Sequence, residues 1–288
     1  MPPNGQIAAD GVQHVGYIGL GNAGFSMASN LPKAGYKLVV HDADTARADR
    51  AAQEWKNTVA SQGKADAFSE CEIIVTMLPH GKVVREVLFG DNGIAKALKS
   101  GTIAVDTSSS SPFDTVSLGK ELAEHSLQLV DAPITQTYMR ATDAGESTLM
   151  VGTDSEAAYE KVKPVLQTMA GYIFHMGKLG AGHAMKTLNN YIMASSIIAL
   201  SDSLVTGQKF GLDPQKMIDC LNVGTGMSEA TISPYMINEL GCRGMLSHSR
   251  HVPAGRFDEA VQLWFWTSIA RKGPWNHKRV YGAQQISD

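Results

Sequence analysis

Cysteine is scarce in this sequence, and neither sign of charge forms a long run. Only three cysteines, Cys71, Cys220 and Cys242, occur among 288 residues, far apart and without a Cys-x-x-Cys pair. This spacing argues against a disulfide framework and a zinc site. We therefore expect no metal and a reducing, cytoplasmic compartment, with mitochondria left open. The formal net charge is −3, and without a basic run we expect no nucleic-acid partner.

Signals for secretion or membrane insertion are also lacking. Residues 1–14 contain neither a basic start nor an apolar core, so we expect that they are not a secretory signal. The most apolar long stretch, Met185–Val205, contains Lys186, Asn189 and Asn190, and this polarity favours a buried helix over a membrane span. With 43% hydrophobic and 18% charged residues, the chain is expected to form packed domains, and its length allows two.

Apolar strand-like runs recur along the first part of the chain. They are Val15–Ile18, Leu38–Val40, Ile73–Met77, Ile103–Asp106, Leu127–Asp131, Thr148–Val151 and Tyr172–His175. The first four alternate with helix-like segments, which is typical of an α/β fold with a doubly wound parallel sheet. Later, helices are predicted from about His183 to Phe210, with Gly211 as the C-terminal stop, and from Pro214 to Asn222, with Asp213 as the cap. The first of these helices has few charged residues, so we expect the first domain and a partner subunit to cover it on most sides. We predict an α/β domain over residues 14–176 and a helical domain over residues 177–288.

A glycine-rich turn joins the first strand to a helix-like segment. The glycines Gly19, Gly21 and Gly24 follow the strand, and a second strand leads to Asp42. This order is typical of a Rossmann dinucleotide site. In such a site Gly19 permits the tight turn, Gly21 lets the backbone approach a pyrophosphate, and Gly24 allows close helix packing. Asp42 is placed to accept hydrogen bonds from ribose hydroxyls, which favours NAD over NADP, because a 2′-phosphate would meet a carboxylate. A glycine-rich turn in an unrelated α/β protein is the alternative.

Further cofactor contacts are expected where parallel strands end, because ligands of open α/β sheets bind just beyond that edge. The candidate cofactor-binding residues are Gly19, Leu20, Gly21, Asn22, Ala23, Gly24, Asp42, Met77, Leu78, Pro79 and Ser109. Asp106–Ser109 and Asp131–Pro133 are two more polar loops at strand ends. The serines of the first loop have two possible roles. They either form the turn and cap the next helix, or contact a nicotinamide ring.

Lys186 is the candidate catalytic residue. It lies near the start of the long apolar helix, Asn190 shares its face, and Asn189 lies beside it. A buried lysine can move a proton to or from a substrate oxygen during hydride transfer, since burial lowers its pKa toward the working range. Asn190 could hold that oxygen. A lysine that snorkels at a domain edge is the alternative, and the scattered histidines, His183 among them, are interpreted as structural or surface residues.

The chain resembles the β-hydroxyacid dehydrogenases, the group of 3-hydroxyisobutyrate dehydrogenase and tartronate semialdehyde reductase. Four separated motifs carry the resemblance across about residues 14–240: GYIGLGNAGFSMASNL, TMLPHGKVVREVLFG, DAPITQTYMRATDAGESTLMVGT and GKLGAGHAMKTLNNYI. The second and third are most similar to the sulfolactaldehyde reductase branch.

The resemblance implies a Rossmann domain, a long interdomain helix and an all-helical second domain that helps to form homodimers or tetramers. It also implies reversible oxidation of a small β-hydroxy acid to the aldehyde or ketone with NAD or NADP. The family's catalytic lysine falls on Lys186 and its substrate-binding asparagine on Asn190, with Asn189 adjacent.

One departure from the family lies in the loop after Asp131-Ala132-Pro133. The family loop reads x-Ser-Gly-Gly, whose hydroxyl and N–H groups bind the substrate acid, whereas residues 134–137 here read Ile-Thr-Gln-Thr. We predict that Thr135, Gln136 and Thr137 bind substrate in a pocket of different shape. The sulfolactaldehyde branch has an arginine at the position of Gln136, suited to bidentate oxyanion binding. The neutral glutamine therefore favours a carboxylate or a neutral polar group over a sulfonate.

A second departure is the tail, which is atypical from about residue 245 and lacks the family helix FxLxLxxKDLxxA. Residues 263–277 read LWFWTSIARKGPWNH. With synonymous codons chosen to favour the match, the same nucleotides read one base later encode SGFGLALLAKDLGI, which contains FxLxLxxKDL. We hypothesise that this tail is translated out of the ancestral frame, which would weaken oligomerisation. A real, divergent end is the alternative.

The function favoured by the sequence is an NAD-dependent oxidoreductase that acts on a small β-hydroxy acid. Two alternatives stay open. One is a catalytically impaired homologue that only binds dinucleotide, and the other is an imine or keto reductase.

Overall fold

The computed structural model of the protein describes residues 11–135 and 147–232. The strands are β1 (His14–Ile18), β2 (Lys37–His41), β3 (Thr58–Ala60), β4 (Ile73–Thr76), β5 (Ile103–Asp106), β6 (Gln128–Asp131), β7 (Ile134–Thr135), β8 (Ser147–Gly152) and β9 (Ala170–Gly177). The helices are α1 (Asn22–Ala28), α2 (Asn30–Lys33), α3 (Thr45–Glu54), α4 (Gly81–Phe89), α5 (Pro112–Glu124), α6 (Glu156–Met169), α7 (Ala181–Lys209), α8 (Pro214–Val223) and α9 (Glu229–Ile232). Short 3₁₀ turns occupy Ala65–Phe68 and Ala95–Ala97.

The strands of the described residues form one sheet in the order β3-β2-β1-β4-β5-β6-β8-β7, with β9 also paired to β8. Neighbours from β3 to β6 are parallel. β8 runs antiparallel to β6 and β7 and parallel to β9. The predicted doubly wound parallel sheet is confirmed, and each of the seven predicted strands has bounds within two residues of the observed ones. The short strands β3 and β7 were not predicted.

Apolar side chains cover both faces of the parallel part of the sheet. On β4, Ile73 and Val75 belong to one buried cluster and Ile74 to another. Alternate residues of a strand point to opposite faces, so a strand with helices on both sides reads as a continuous apolar run. This explains why β4 and β5 were visible in the sequence.

Helix ends follow local signals. Ser111 and Ser155 accept backbone N–H groups at the starts of α5 and α6. Asp213 accepts the Lys216 N–H at 3.0 Å at the start of α8, as the sequence predicted. Gly211, in the left-handed conformation at φ +82°, follows the end of α7, where the sequence placed a helix stop.

The chain divides into two compact units, one ending at Thr187 and the other beginning at Leu188. In the second unit, Ile197, Leu200, Leu204, Ile218 and Ala230 form a small buried cluster. The sequence predicted a long helix covered on most sides by the first domain and a partner subunit. The side chains of Leu188, Tyr191 and Ile192 are more than half exposed in the single chain, so their cover by a partner stays a prediction. The predicted domain boundary between residues 176 and 177 stays a prediction.

Candidate active site

The ends of five parallel strands form one row across the sheet. Ile18 pairs with His41 on one side and Thr76 on the other. Thr76 pairs with Asp106, which in turn pairs with Asp131. The residues that follow this row therefore begin five loops at one edge, where open α/β sheets bind their ligands.

The glycine turn lies directly beyond β1. Gly19 has φ +104°, and a Cβ at this position would overlap the carbonyl oxygen of Met77. A Cβ on Gly24 would overlap the carbonyl oxygen of Gly19, whereas a Cβ on Gly21 would meet nothing within 4 Å. Gly19 and Gly24 therefore leave no room for a side chain inside the turn, whereas a ligand can come close to the backbone at Gly21. This cradle fits a pyrophosphate, as the glycine pattern predicts.

Asp42 ties the end of β2 to the glycine turn. Its Oδ2 accepts the Leu20 N–H at 2.6 Å, and its Oδ1 accepts the Asp44 N–H at 2.9 Å. The side chain is only 10% exposed. Arg47, which is half exposed, lies 3.3 Å from Asp44 and 3.8 Å from Asp42. Asp42 therefore fixes the turn as well as placing negative charge beside it, a structural role that the sequence did not reveal.

The loops after β4 and β5 are bound to each other. The Leu78 N–H donates to Ser108 Oγ at 2.9 Å, and the Thr107 hydroxyl donates to the Thr76 carbonyl at 2.7 Å. Ser109 is partly exposed in this loop, and Pro79 is exposed after β4. The candidate cofactor residues after these strands thus share one edge with the glycine turn.

Lys186 lies in the second turn of α7 and is partly buried. Asn189 and Asn190 follow on the same helix, where the Asn189 amide donates to Asn190 Oδ1 at 3.5 Å. Thr135 ends β7 opposite Thr148 of β8 and is partly exposed.

Two of the predicted substrate-binding residues, Gln136 and Thr137, lie outside the described residues. Among the residues that the structure does describe, no group of three His, Cys, Asp or Glu could hold a metal ion. Over the same ranges, no helix is long and apolar enough for a membrane span.

A buried polar cluster around His183, three residues before Lys186 on α7, was missed by sequence reasoning. His183, 1% exposed, lies between the carboxylates of Asp106 and Asp131, which are 2% and 0% exposed. Asp131 accepts the N–H groups of Gly180 and His183, each at 2.7 Å. Burial raises the pKa of the Asp131 carboxyl, and the charge of His183 with these two N–H groups opposes that rise. The two aspartates were noted as strand-end residues, but no local signal connected them to His183.

Two family models match adjacent parts of the chain. Residues 14–177 match the NAD binding domain of 6-phosphogluconate dehydrogenase. Residues 180–239 match the NAD-binding segment of NADP-dependent 3-hydroxyisobutyrate dehydrogenase. The match to the first model covers more than half of the chain.

Curated relatives and solved structures agree with these models. The chain is 38% identical to 2-(hydroxymethyl)glutarate dehydrogenase of Eubacterium barkeri over 216 residues, 75% of this chain and 70% of that protein. It is 34% identical to mitochondrial 3-hydroxyisobutyrate dehydrogenase of Mus musculus over 214 residues, 74% of this chain and 62% of that protein. The structure of Mycobacterium tuberculosis 3-hydroxyisobutyrate dehydrogenase with L-serine is similar, with a TM-score of 0.72 and 26% identity. That comparison covers 89% of this chain and 94% of that one.

Proposed function

Because the chain belongs to the NAD(P)-dependent β-hydroxyacid dehydrogenase family, we propose that it interconverts a small β-hydroxy acid and its aldehyde or keto form. The observation that carries the proposal is the closed glycine turn with an open backbone at Gly21, at the carboxyl edge of the sheet. Gly19 to Gly24, Asp42, Met77 to Pro79 and Ser109 would hold the dinucleotide. When bound, its nicotinamide would accept or supply the hydride.

We assign proton transfer to Lys186. Oxidation of an alcohol removes a hydride from carbon and a proton from oxygen, so a base near that oxygen lowers the barrier in one direction and an acid does so in the other. The partial burial of Lys186 near the start of α7 supports this role. Asn189 and Asn190 are proposed to orient the substrate oxygen, and Thr135, Gln136 and Thr137 to bind the acid group.

The test of this assignment is Lys186→Ala with a panel of β-hydroxy acids and NAD. Loss of the proton-transfer group should lower kcat about a hundred- to ten-thousandfold, and the dissociation constant of NADH should stay unchanged. Lys209→Ala, at the last turn of the same helix, is the matched control and should keep full activity. Near-normal turnover in Lys186→Ala would refute the assignment. A wild-type protein that binds NADH but oxidises none of the acids would instead favour a homologue that only binds dinucleotide.

We propose NAD as the preferred cofactor. Asp42 and the half-exposed Asp44 place two carboxylates at the end of β2, and Arg47 is already engaged by both of them. Repulsion of a 2′-phosphate by a nearby carboxylate amounts to about 1–3 kcal/mol, or roughly ten- to hundredfold in affinity. Titration of the wild type with NAD and with NADP tests this, and equal dissociation constants would contradict it. Asp44→Asn keeps a capping side chain on α3 and should bring the dissociation constant of NADP closer to that of NAD.

We also propose that the protein forms a homo-oligomer, that its two domains meet near residue 176, and that it lies in the cytoplasm or in mitochondria. The exposed side chains of Leu188, Tyr191 and Ile192 support assembly, because large apolar side chains that share an exposed surface are typical of subunit interfaces.

A further inference from the structure

We infer that His183 is a positioning residue for Lys186: its buried ring carries a proton on both nitrogens and holds the first turn of α7 against the ends of β5 and β6. This role presupposes the proposed function, since it concerns the lysine to which proton transfer is assigned above.

The ring of His183 makes two hydrogen bonds to fixed partners. Nε2 lies 3.0 Å from the backbone carbonyl oxygen of Ser108, and Nδ1 lies 2.8 Å from the hydroxyl oxygen of Thr115 on α5. A carbonyl oxygen can only accept, so Nε2 must carry a hydrogen.

The state of Nδ1 depends on where the single hydroxyl proton of Thr115 points. The Thr115 oxygen lies 3.0 Å from the carbonyl oxygen of Ser111, four residues earlier in the chain, which is the usual acceptor for a threonine hydroxyl in a helix. With its proton donated there, Thr115 offers only lone pairs to His183. Nδ1 must then also carry a hydrogen, and the ring is an imidazolium.

The surroundings supply the countercharge that a buried cation needs. Asp131 Oδ2 lies 3.5 Å from Nδ1, and Asp106 Oδ2 lies 3.8 Å from Nε2. Asp106 also accepts the hydroxyl protons of Thr76 and Ser110. The ring therefore has a carboxylate near each nitrogen, and buried charges are tolerated when they are paired in this way.

The same groups fix the backbone of α7 where Lys186 begins its side chain. Asp131 Oδ1 and Oδ2 accept the N–H groups of Gly180 and His183, while the ring of His183 contacts α5 and the loop after β5. Lys186 follows three residues later, on the same side of the helix. A catalytic group displaced by about 1 Å can lose on the order of a hundredfold in rate, so we expect the cluster to control where the ammonium group lies.

The ring state can be measured without any substrate. In the full-length protein labelled with ¹⁵N-histidine, the ring resonances of His183 are assigned by their absence in His183→Gln. We expect both nitrogens to show the imidazolium signature at neutral pH. A neutral ring, with one protonated and one bare nitrogen, would overturn the inference even if the enzyme is active.

The positioning role is tested by kinetics in three variants. His183→Leu should lower kcat about a hundredfold, with the KM of the acid and the dissociation constant of NADH nearly unchanged. His183→Gln, whose amide can still donate to one of the two partners, should recover part of that loss. His175→Gln, at an exposed histidine stacked on Tyr159 outside the cluster, is the control.

Thr115→Val keeps the shape of the side chain and removes the acceptor of Nδ1 together with the hydroxyl bond to the Ser111 carbonyl, so it serves if His183→Leu fails to fold. We expect its kcat to fall as well. If His183→Leu and Thr115→Val keep a kcat similar to that of His175→Gln, the inference is overturned. It is also overturned if these variants lose kcat and affinity for NADH by the same factor. Absence of turnover in the wild type would refute the proposed function instead, and the ring state would still be decided by the spectrum.

Discussion

Two glycines of the same turn are expected to respond in opposite ways to a single methyl group. Gly19 has a left-handed backbone and no room for a Cβ. Gly21 has φ −64° and ψ −176°, which any residue adopts, and open space beside it. Gly19→Ala should therefore damage folding, and Gly21→Ala should damage only cofactor binding.

The expected loss of folding stability in Gly19→Ala has two parts, one from backbone conformation and one from steric overlap. Left-handed backbone costs a non-glycine residue about 1–2 kcal/mol. Overlap with the Met77 carbonyl oxygen must be relieved by moving the ends of β1 and β4, and overpacking of this kind costs about 1–3 kcal/mol. The free energy of unfolding should fall by roughly 2–5 kcal/mol, a large share of the 5–15 kcal/mol that is typical of native proteins.

Gly35→Ala separates the two parts. Gly35 also has positive φ, at +97°, but nothing lies within 4 Å of its would-be Cβ. The free energy of unfolding of this control should fall only by the cost of the left-handed backbone, about 1–2 kcal/mol. Urea unfolding of the three variants, followed by circular dichroism, gives the comparison.

For Gly21→Ala we expect unchanged or slightly higher stability, by about 0.4–1 kcal/mol, because alanine restricts the unfolded chain. Its dissociation constant for NADH should rise at least about tenfold, equivalent to 1.4 kcal/mol, since the methyl group occupies the space that the pyrophosphate would enter. Unchanged NADH binding would refute the placement of the pyrophosphate at Gly21. A Gly19→Ala variant as stable as Gly35→Ala would refute the closed turn.

Two further predictions concern the cysteines and the tail. Burial raises the pKa of Cys71 to about 12, so iodoacetamide at pH 8 should modify the exposed Cys220 before Cys71, as read by peptide mass spectrometry. Because the folded-state pKa is raised from 9.0, the stability contributed by the Cys71 thiol is complete below about pH 9 and is lost as the pH rises toward 12. The tail at residues 263–277 lies outside the described residues. Sequencing of the gene and transcript should show a Lys-Asp helix one base later, and nucleotides that do not encode it would refute the frame hypothesis.

The parts of the fold that local patterns predicted are those with local causes. Strands β4 and β5 are apolar up to their last residues, Thr76 and Asp106, because helices cover both faces. The start of α8 at Asp213 and the stop of α7 at Gly211 are set by single residues. β3 has three residues and β7 has two, too few for a periodicity to emerge. β9 extends beyond the predicted Tyr172–His175 because pairing with β8, rather than its own apolar content, determines its ends.

The cofactor turn was predictable from spacing, whereas the bonds that hold it were not. The positions of Gly19, Gly21 and Asp42 followed from the order of strand, glycines, helix, strand and acid. The bond from the Leu20 N–H to Asp42 joins residues 22 positions apart, and it depends on how β1 and β2 align. Sequence reasoning therefore assigned Asp42 only to the ribose, although both of its oxygens also hold backbone.

The His183 cluster shows how strand register can create a requirement that no local pattern reveals. Asp106 and Asp131 pair directly across β5 and β6, and the charge on Asp106 raises the pKa of Asp131 further. Two buried carboxylates side by side repel each other, and without a cation one of them would have to take up a proton. The imidazolium inferred for His183 meets that requirement from a helix 52 residues beyond Asp131. If so, Asp106→Asn should reduce the effect of His183→Gln on kcat, because one carboxylate no longer requires compensation. A double-mutant cycle with additive losses would show that the two residues act independently.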